Sequence, residues 1–431
     1  MNKVNYNILF DRLFPICRSI TGEGYRKSLK ILSNFINFKV LKFPTGSKVF
    51  DWTVPPEWNI YDAYILKDKK KVLDFKDNNL HVVSYSYPVN KIIDYEDLDK
   101  HLFSIKKYPN FIPYVTSYYK KFWGFCIQHN KRKKLKKGKY HVVIKSKLSK
   151  GNVEIGLEKL KGETDKIMLL SSYLCHPSMA NNELSGPLVM VGLYQRIKKW
   201  KKRNLNYYFL INPETIGSIC FLSKYARRLK QKLHSGMVVT SMGGPKNKLI
   251  YKKSRREDSS LDRLFDYYNK KNRHLIRDFD PAEGSDEKQY CGAELNLPVG
   301  QISRTRHGEY FQYHSSGDNK KFMNIKKIEQ SVESLEKILK INDLIFPLKR
   351  HLPYCEPQLG KRNLYPQINS ARKKNKAKLS NSRKQLDILL NLLSYADKEH
   401  DIIDVALKSG FEIEEIAEEL KKAINHKLIK I

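Results

Sequence analysis

Three groups of polar residues in the middle of the chain have the types and the order that a metal-dependent hydrolase needs. His176 follows the apolar run IMLLSSYLC, Glu214 follows NYYFLIN, and His314 lies beyond LPVGQIS. Zinc takes nitrogen and oxygen ligands, and a carboxylate beside such a metal can accept a proton from water. The pattern predicts a zinc site in which the two histidines bind the metal and Glu214 is the general base.

Each of these residues also has an ordinary structural explanation. A single histidine is more often a surface or hydrogen-bonded core residue than a ligand. Glu214 would suit the start of the helix that follows it, and Asn181–Gly186 would suit a turn and helix cap. The metal-site interpretation gains weight because the three groups would meet at one edge of a parallel sheet.

The elements around these residues predict an α/β protein with two additional modules. Apolar runs alternate with amphipathic helical patterns over 142–348, which is typical of parallel βαβ units in a three-layer, mostly parallel domain. Residues 1–45 join this domain through a helical pattern that SITGEG interrupts. Residues 46–141 read as an inserted β-rich unit, 349–383 as a linker rich in Pro and Lys, and 384–431 as a compact helical module.

Composition narrows the functional classes. The 431 residues carry a net charge of +36, from 81 Lys and Arg against 45 Asp and Glu, and 41% are hydrophobic, which excludes global disorder. No apolar run approaches the roughly 18–20 residues of a membrane span, and the first residues do not resemble a signal peptide, so we predict a cytoplasmic protein. Lysine is spread along the chain, which argues against nucleic-acid recognition. The six cysteines form no CxxC pair, so we expect buried thiols.

Longer motifs carry a more specific resemblance. The segments SSYLCHPSMANNELSGP, FLINPETIGSICFLSK, GSDEKQYCGAELNLPVG and GEYFQYHSSGDN occur in this order. Together with LFPICRSITGEGYRKSL and the C-terminal module, they resemble an aminopeptidase-like bacterial family long labelled as a domain of unknown function. That family is similar to co-catalytic zinc aminopeptidases and has an inserted small domain and a C-terminal winged helix. The resemblance covers nearly the whole chain.

The resemblance implies roles for individual residues. His176 matches the first histidine ligand, Glu214 the general base and His314 the last histidine ligand. Asn182 stands where a metal-bridging aspartate is expected, and Thr215 where a second glutamate is expected. The segment TSMGG offers no carboxylate where a further aspartate ligand is expected.

These departures predict one zinc ion rather than two. A neutral amide at Asn182 cannot offset the repulsion between two dications held about 3.5–4 Å apart. A single metal would be bound by His176, His314 and a carboxylate. Glu183, next to Asn182 on the same loop, is the first candidate for that carboxylate, and Asp286 is the second.

The predicted substrate is a small peptide or another amide with a free amine. Glu309 and Tyr310 precede His314 closely and are candidates for the pocket wall, where a carboxylate would bind an ammonium group. Asp286 is a further candidate for substrate binding. The aromatic residues of the inserted unit are expected mainly in its core, with a lid over the pocket as the alternative. The resemblance also implies a link to surface-polysaccharide or modified-sugar synthesis.

The C-terminal module has the spacing of a winged helix, and its third helix begins FEIEEIAEEL. Acidic residues there would repel phosphate, so we favour an interaction or dimerisation role, including a homo-oligomer, over DNA binding. The basic segment Arg372–Lys378 is the better phosphate candidate. Two alternatives stay open: a catalytically inactive binding protein, favoured by Asn182 and Thr215, and a DNA-binding regulator, favoured by the net charge.

Overall fold

The computed structural model describes residues 4–365 and 381–431, which form two compact units, Met1–Glu336 and Lys337–Ile431. Arg372–Lys378 and much of the predicted linker lie outside the described residues. Within the described ranges, every helix is too short or too polar to cross a membrane.

The first unit contains most of the regular structure. Its helices are α1 (Tyr6–Leu13), α2 (Glu23–Ser33), α3 (Tyr95–Asp99), α4 (His129–Arg132), α5 (Ser185–Ile197), α6 (Ile216–Lys232), α7 (Ser260–Lys270), α8 (Glu287–Tyr290) and α9 (Ile325–Asn342), whose last residues belong to the second unit. Its strands are β1 (Lys39–Pro44), β2 (Lys48–Val49), β3 (Trp52–Thr53), β4 (Glu57–Lys67), β5 (Lys70–Asp74), β6 (Val89–Asp94), β7 (Leu102–Phe103), β8 (Phe125–Cys126), β9 (Lys139–Ser149), β10 (Asn152–Leu160), β11 (Ile167–Tyr173), β12 (Asn206–Asn212), β13 (Leu233–Val239), β14 (Ile250–Lys252), β15 (Leu275–Arg277) and β16 (Val299–Ser303).

An eight-stranded mixed sheet organises this unit, in the order β1-β10-β12-β11-β13-β16-β14-β15. The four central strands β12, β11, β13 and β16 are parallel, whereas β10 and β14 join them antiparallel. All seven residues of β11 are buried, as expected for a strand covered on both faces. The predicted α/β class is confirmed, and the carboxyl ends of the four central strands lie at one edge of the sheet.

The inserted unit is built on a four-stranded antiparallel sheet, in the order β5-β4-β9-β6. Its apolar core includes Ile65, Phe125, Tyr140 and Val142. Strand β9 pairs with β4 as far as Ser149, so the inserted sheet extends beyond the predicted boundary at residue 141. The alternating pattern of β9 begins within the charged run, which hides the start of the strand in the sequence.

The second unit has the predicted winged-helix arrangement. Its helices are α10 (Asn381–Ser394), α11 (Ile402–Ser409) and α12 (Ile413–Asn425), and β17 (Lys349–Arg350) pairs antiparallel with β18 (Ile429–Lys430). Gly410 ends α11 in a left-handed conformation with φ 72°, which favours glycine. Strand β17 lies within the segment predicted as linker, because two residues are too few for a strand pattern to be visible.

Candidate functional site

His176 lies just beyond β11 at the sheet edge, and a carboxylate fixes its ring. Glu183 Oε2 lies 2.5 Å from His176 Nδ1. Glu183 Oε1 accepts hydrogen bonds from the backbone amides of His176, at 2.9 Å, and of Cys175. Both oxygens of Glu183 are therefore engaged, and the ring nitrogen left for other partners is Nε2. Burial alone would lower the pKa of His176, but Glu183 outweighs it, so this pKa lies well above its ordinary value.

Glu183 is positioned by a single π-helical turn, Ala180–Leu184, that leads into α5. Such turns are rare and occur often at functional sites. Asp318 holds this turn: its Oδ1 accepts from the amide of Asn181 at 2.7 Å and its Oδ2 from the amide of Asn182 at 2.8 Å. Burial raises the pKa of Asp318 to about 7. The HSSGDN motif thus supports the turn through its aspartate, a role that its sequence did not reveal.

Glu214 lies beyond β12, on the other side of the His176 ring. Its Oε2 is 3.5 Å from His176 Nε2, and its Oε1 accepts a hydrogen bond of 2.5 Å from Ser285 Oγ. The next residue, Thr215, has φ 63°, a strained conformation for a β-branched residue. Burial raises the pKa of Glu214 above its ordinary value. A partly buried carboxyl with an elevated pKa suits the exchange of a proton during catalysis.

His314 completes the group from a loop that follows β16. Its ring centre lies 5.3 Å from that of His176, and Tyr313 stacks on it at 3.9 Å. Tyr114 of the inserted unit meets both imidazoles edge-on, at 4.8 Å from His176 and 5.5 Å from His314. Burial, together with neighbouring His176, lowers the pKa of His314 well below its ordinary value, which leaves a neutral imidazole.

The ring centres of the two imidazoles are about as far apart as those of two histidines on one zinc ion. Two histidines on one tetrahedral zinc, each about 2.0–2.1 Å from the metal, have ring centres about 5 Å apart. Nearby Asn182 has a buried side-chain oxygen without a hydrogen-bond partner in the described part of the chain. Among the described residues, the one group of three potential ligands with atoms within 4.8 Å of one another is Cys175, His176 and Glu183, and His314 is not part of it. We favour the Nε2 side of His176, because Glu183 already occupies its Nδ1.

Asp286 is fully buried behind the Glu214 loop. Its Oδ1 accepts from the amide of Thr215 at 2.6 Å, and its Oδ2 accepts from Asn212 Nδ2 at 2.8 Å. Burial raises its pKa to about 7. The structure therefore gives Asp286 the task of holding the strained loop, instead of the substrate contact or metal bond predicted for it.

Glu309 and Tyr310 also have partners away from the imidazoles. Glu309 is partly exposed and pairs with Lys246 at 2.9 Å and with Arg306 at 3.2 Å. Tyr310 is buried and stacks on Phe322 at 4.9 Å. Their closeness to His314 in sequence does not place them in the pocket, because the intervening residues turn the chain.

A cavity of about 370 Å³ opens above the imidazoles. It is lined by Ile20, Trp52, Tyr114, Thr116, Tyr118, Tyr119, Cys175, His176, Glu214, Thr215, Ile216 and His314. Five of these residues come from the inserted unit, which supports the lid alternative for part of its aromatic residues. Asp286, Glu309 and Tyr310 are not among the lining residues.

Three further residues near the imidazoles were not predicted from the sequence. Arg18 is fully buried and donates from Nε to the carbonyl of His176 at 3.2 Å. Ser285 bonds Glu214, as described above. His307 lies close enough to the other imidazoles to lower the pKa of His314, and burial lowers its own pKa to about 4. Arg18 and Ser285 fall within motifs that carried the resemblance, which was the only available signal.

Comparison with known proteins agrees with this architecture. Residues 6–344 match the domain of unknown function DUF4910, and residues 347–431 match a winged helix-turn-helix family. The chain belongs to the DUF4910 family. The predicted resemblance to an aminopeptidase-like family with a C-terminal winged helix is thereby confirmed.

Individual relatives are consistent with the family. A Clostridium acetobutylicum protein, provisionally named for polysaccharide biosynthesis and an aminopeptidase-like domain, is 40% identical over 417 residues, 95% of this chain and 92% of the relative. The crystal structure of a provisionally assigned peptidase from the same organism has a TM-score of 0.86 at 36% identity, covering 99% of this chain and 95% of that chain. The zinc aminopeptidase BSAP of Bacillus subtilis has a TM-score of 0.54 at 10% identity, over 76% of this chain and 92% of its own, and shares the fold.

Proposed function

We propose that this DUF4910 protein is a zinc-dependent, aminopeptidase-like hydrolase that cleaves an amide bond. One observation carries the proposal: His176 Nε2, the Glu214 carboxylate and the His314 ring converge on a single cavity, with 3.5 Å between Nε2 and Glu214 Oε2. His176 and His314 would hold one zinc ion, and the unpartnered oxygen of Asn182 is a candidate for a further ligand.

When bound, zinc supplies Lewis-acid chemistry: it polarises a carbonyl and lowers the pKa of a water molecule. Glu214 then takes the proton from the attacking water and returns it to the departing amine, a role that its raised pKa favours. Ser285 keeps one oxygen of Glu214 fixed, so that the other faces His176. Glu183 keeps the imidazole of His176 oriented, as carboxylates behind zinc ligands do.

The proposed substrate carries a free amine beside the amide, in keeping with the aminopeptidase-like fold. The name of the Clostridium acetobutylicum relative supports a link to polysaccharide biosynthesis. Glu309 is a poor partner for the substrate amine, because it pairs with Lys246 and Arg306 outside the cavity.

A second candidate is a binding protein that kept the pocket without the reaction. The neutral side chains of Asn182 and Thr215 favour it, because each stands where the resemblance expects a carboxylate. The strained Thr215 argues for the enzyme, since such strain persists only when surrounding contacts hold it, and it clusters at functional sites.

Elemental analysis of zinc-loaded protein, with a hydrolysis screen of aminoacyl amides and short peptides, separates these candidates. We expect one zinc per chain and turnover of at least one amide. His314→Ala should lose zinc and turnover together, whereas His141→Ala, on strand β9, should lose neither. Two tightly bound ions would refute the one-zinc proposal, and full zinc content in His314→Ala would remove that residue from the ligand set. A chain that binds no zinc and cleaves no amide would be the binding protein.

A further inference from the structure

The cavity wall has few side chains that carry charge. Although the chain contains 81 lysines and arginines, none of the lining residues is either, and Glu214 is the one carboxylate among them. Phosphate and carboxylate groups are normally recognised by arginine or lysine. This lining therefore favours a substrate group that is uncharged, apart from the amine next to the reacting amide.

Two aromatic rings form an open corner in this wall. Trp52 is 37% exposed and Tyr119 is 52% exposed. Their ring centres lie 5.7 Å apart, and the ring planes meet at 71°. Large aromatic rings that the core does not cover, at the wall of a cavity, offer an apolar surface to the flat face of a bound ring.

Hydroxyl groups lie beside this corner. Tyr114 and Tyr118 share one hydrogen bond of 3.0 Å between their hydroxyls, and a phenol pair can form further bonds. Thr116 and Thr215 add two more side chains with hydroxyls to the lining. A hydrocarbon group in this cavity would displace water from these hydroxyls without replacing the lost hydrogen bonds, which costs binding energy. A ring that carries hydroxyls would replace those bonds.

We propose that the inserted unit forms a binding site for an uncharged, hydroxyl-bearing ring of the pyranose type. The position of the amide rests on the proposed function: the ring would be joined to the acyl group through the amide that Glu214 helps to cleave. The substrate class is then an aminoacyl amide of an amino sugar. Hydrolysis adds one water across the C–N bond and releases an amino acid and the amino sugar.

Calorimetric titration of the Glu214→Gln protein, in which probes should persist, tests this site. The probes are the glycyl amide of glucosamine, the glycyl amide of cyclohexylamine, which has a six-membered ring without hydroxyls, and glycylglutamate. We expect the glucosamine amide to bind at least about tenfold more tightly than either of the others. Equal or tighter binding of the cyclohexyl amide, or preference for glycylglutamate, would overturn the proposal.

Two variants locate the site. Trp52→Ala and Tyr119→Ala should each raise the dissociation constant of the glucosamine amide about tenfold, because each removes one face of the corner. Tyr61→Ala removes a tyrosine that is 60% exposed on β4 and lies outside this cavity lining, so it should leave binding unchanged. Unchanged binding in both corner variants would refute the assignment.

Binding and hydrolysis measured with the wild-type protein show whether the ring site or the proposed hydrolase function is wrong. Selective binding of the glucosamine amide without hydrolysis of any amide would keep the ring site and reject the hydrolase. Hydrolysis of the glucosamine and cyclohexyl amides with equal kcat/KM would keep the hydrolase and reject the ring site.

Discussion

The cavity has two walls of opposite character. Behind the wall on the sheet edge, the buried carboxylates of Glu183, Asp286 and Asp318 each have both oxygens engaged by nearby donors. On the inserted unit, Trp52 and Tyr119 remain partly uncovered. The groups on the sheet edge that would react are therefore held in place. The inserted unit, in contrast, keeps aromatic surface available for a ligand. Under the proposed function, the sheet edge would carry the chemistry and the inserted unit would carry the selectivity.

The largest expected effect comes from removing the proposed base. In Glu214→Gln, turnover should fall about 10²–10⁴-fold while zinc content stays constant, because this residue is assigned to proton transfer and not to metal binding. Kinetics on the best amide of the screen, with elemental analysis, measure both quantities. Glu309→Gln is the matched control and should keep its turnover. A comparable loss in Glu309→Gln would restore that residue to substrate binding, and full activity in Glu214→Gln would end its assignment as base.

Glu183→Gln tests whether the carboxylate behind His176 strengthens zinc binding. Zinc affinity should fall about 10–100-fold, because the neutral amide no longer orients and polarises His176. Competition with a chelator measures this affinity, and Glu214→Gln serves as the control that loses a carboxylate on the other side of the ring. Unchanged affinity would mean that Glu183 does not act through His176.

The contact between Glu183 and His176 predicts that zinc affinity depends on pH. Because Glu183 raises the pKa of His176 well above its ordinary value, the metal-free protein holds a proton on this ring at neutral pH. Zinc must displace that proton, so affinity should rise with pH until the ring is deprotonated, and binding at pH 7 should release a proton. Calorimetry in buffers with different ionisation enthalpies detects the release. Zinc binding without proton release in the wild type would contradict this assignment.

Asp318→Asn should have a moderate effect on stability. An amide side chain can accept from one of the two backbone amides but presents its own N–H groups to the other, which should lower the free energy of unfolding by about 1–3 kcal/mol. Thermal unfolding measures the change. Asp11→Asn is the control, since its ion pair with Lys320 is exposed and contributes little. Equal unfolding temperatures for the Asp318 variant and the wild type would show that the π-helical turn does not need this carboxylate.

The smallest effect is expected from removal of residues 345–431. The first compact unit ends at Glu336 and the DUF4910 match ends at residue 344, so zinc content and kcat/KM should stay within about twofold of the full chain. Binding to duplex DNA should also be unchanged, because α12 begins with Glu414 and Glu415. Loss of activity after this deletion would mean that the second unit is needed for the reaction. Loss of salt-sensitive DNA binding would favour the alternative of a DNA-binding regulator.

Much of the candidate site at the sheet edge could be predicted from sequence because parallel strands impose a simple geometry. An apolar run followed by a polar motif places that motif at the sheet edge, and this rule brought His176 and Glu214 together. The same rule included His314, whose loop follows β16, and the family resemblance supported it. The α/β class and the winged helix followed from patterns that extend over many residues.

The roles of neighbouring residues could not be predicted in this way. Ser285 and Asp286 are adjacent, yet the serine bonds the proposed base while the aspartate holds the Thr215 amide. Glu183 was predicted as a metal ligand, and its position behind His176 depends on a π-helical turn that has no sequence signature. These roles depend on the direction of each side chain within a short loop. No periodic pattern in the sequence constrains that direction.

The inserted unit is joined to the His314 loop by backbone hydrogen bonds. The amide of Tyr114 donates to the carbonyl of His314 at 2.9 Å, and the amide of Ser316 donates to the carbonyl of Ile112 at 2.9 Å. A hinged opening of this unit would therefore break these bonds and displace an imidazole of the site. Under the proposed function, substrate and product would therefore pass in and out of the cavity while this unit stays in place.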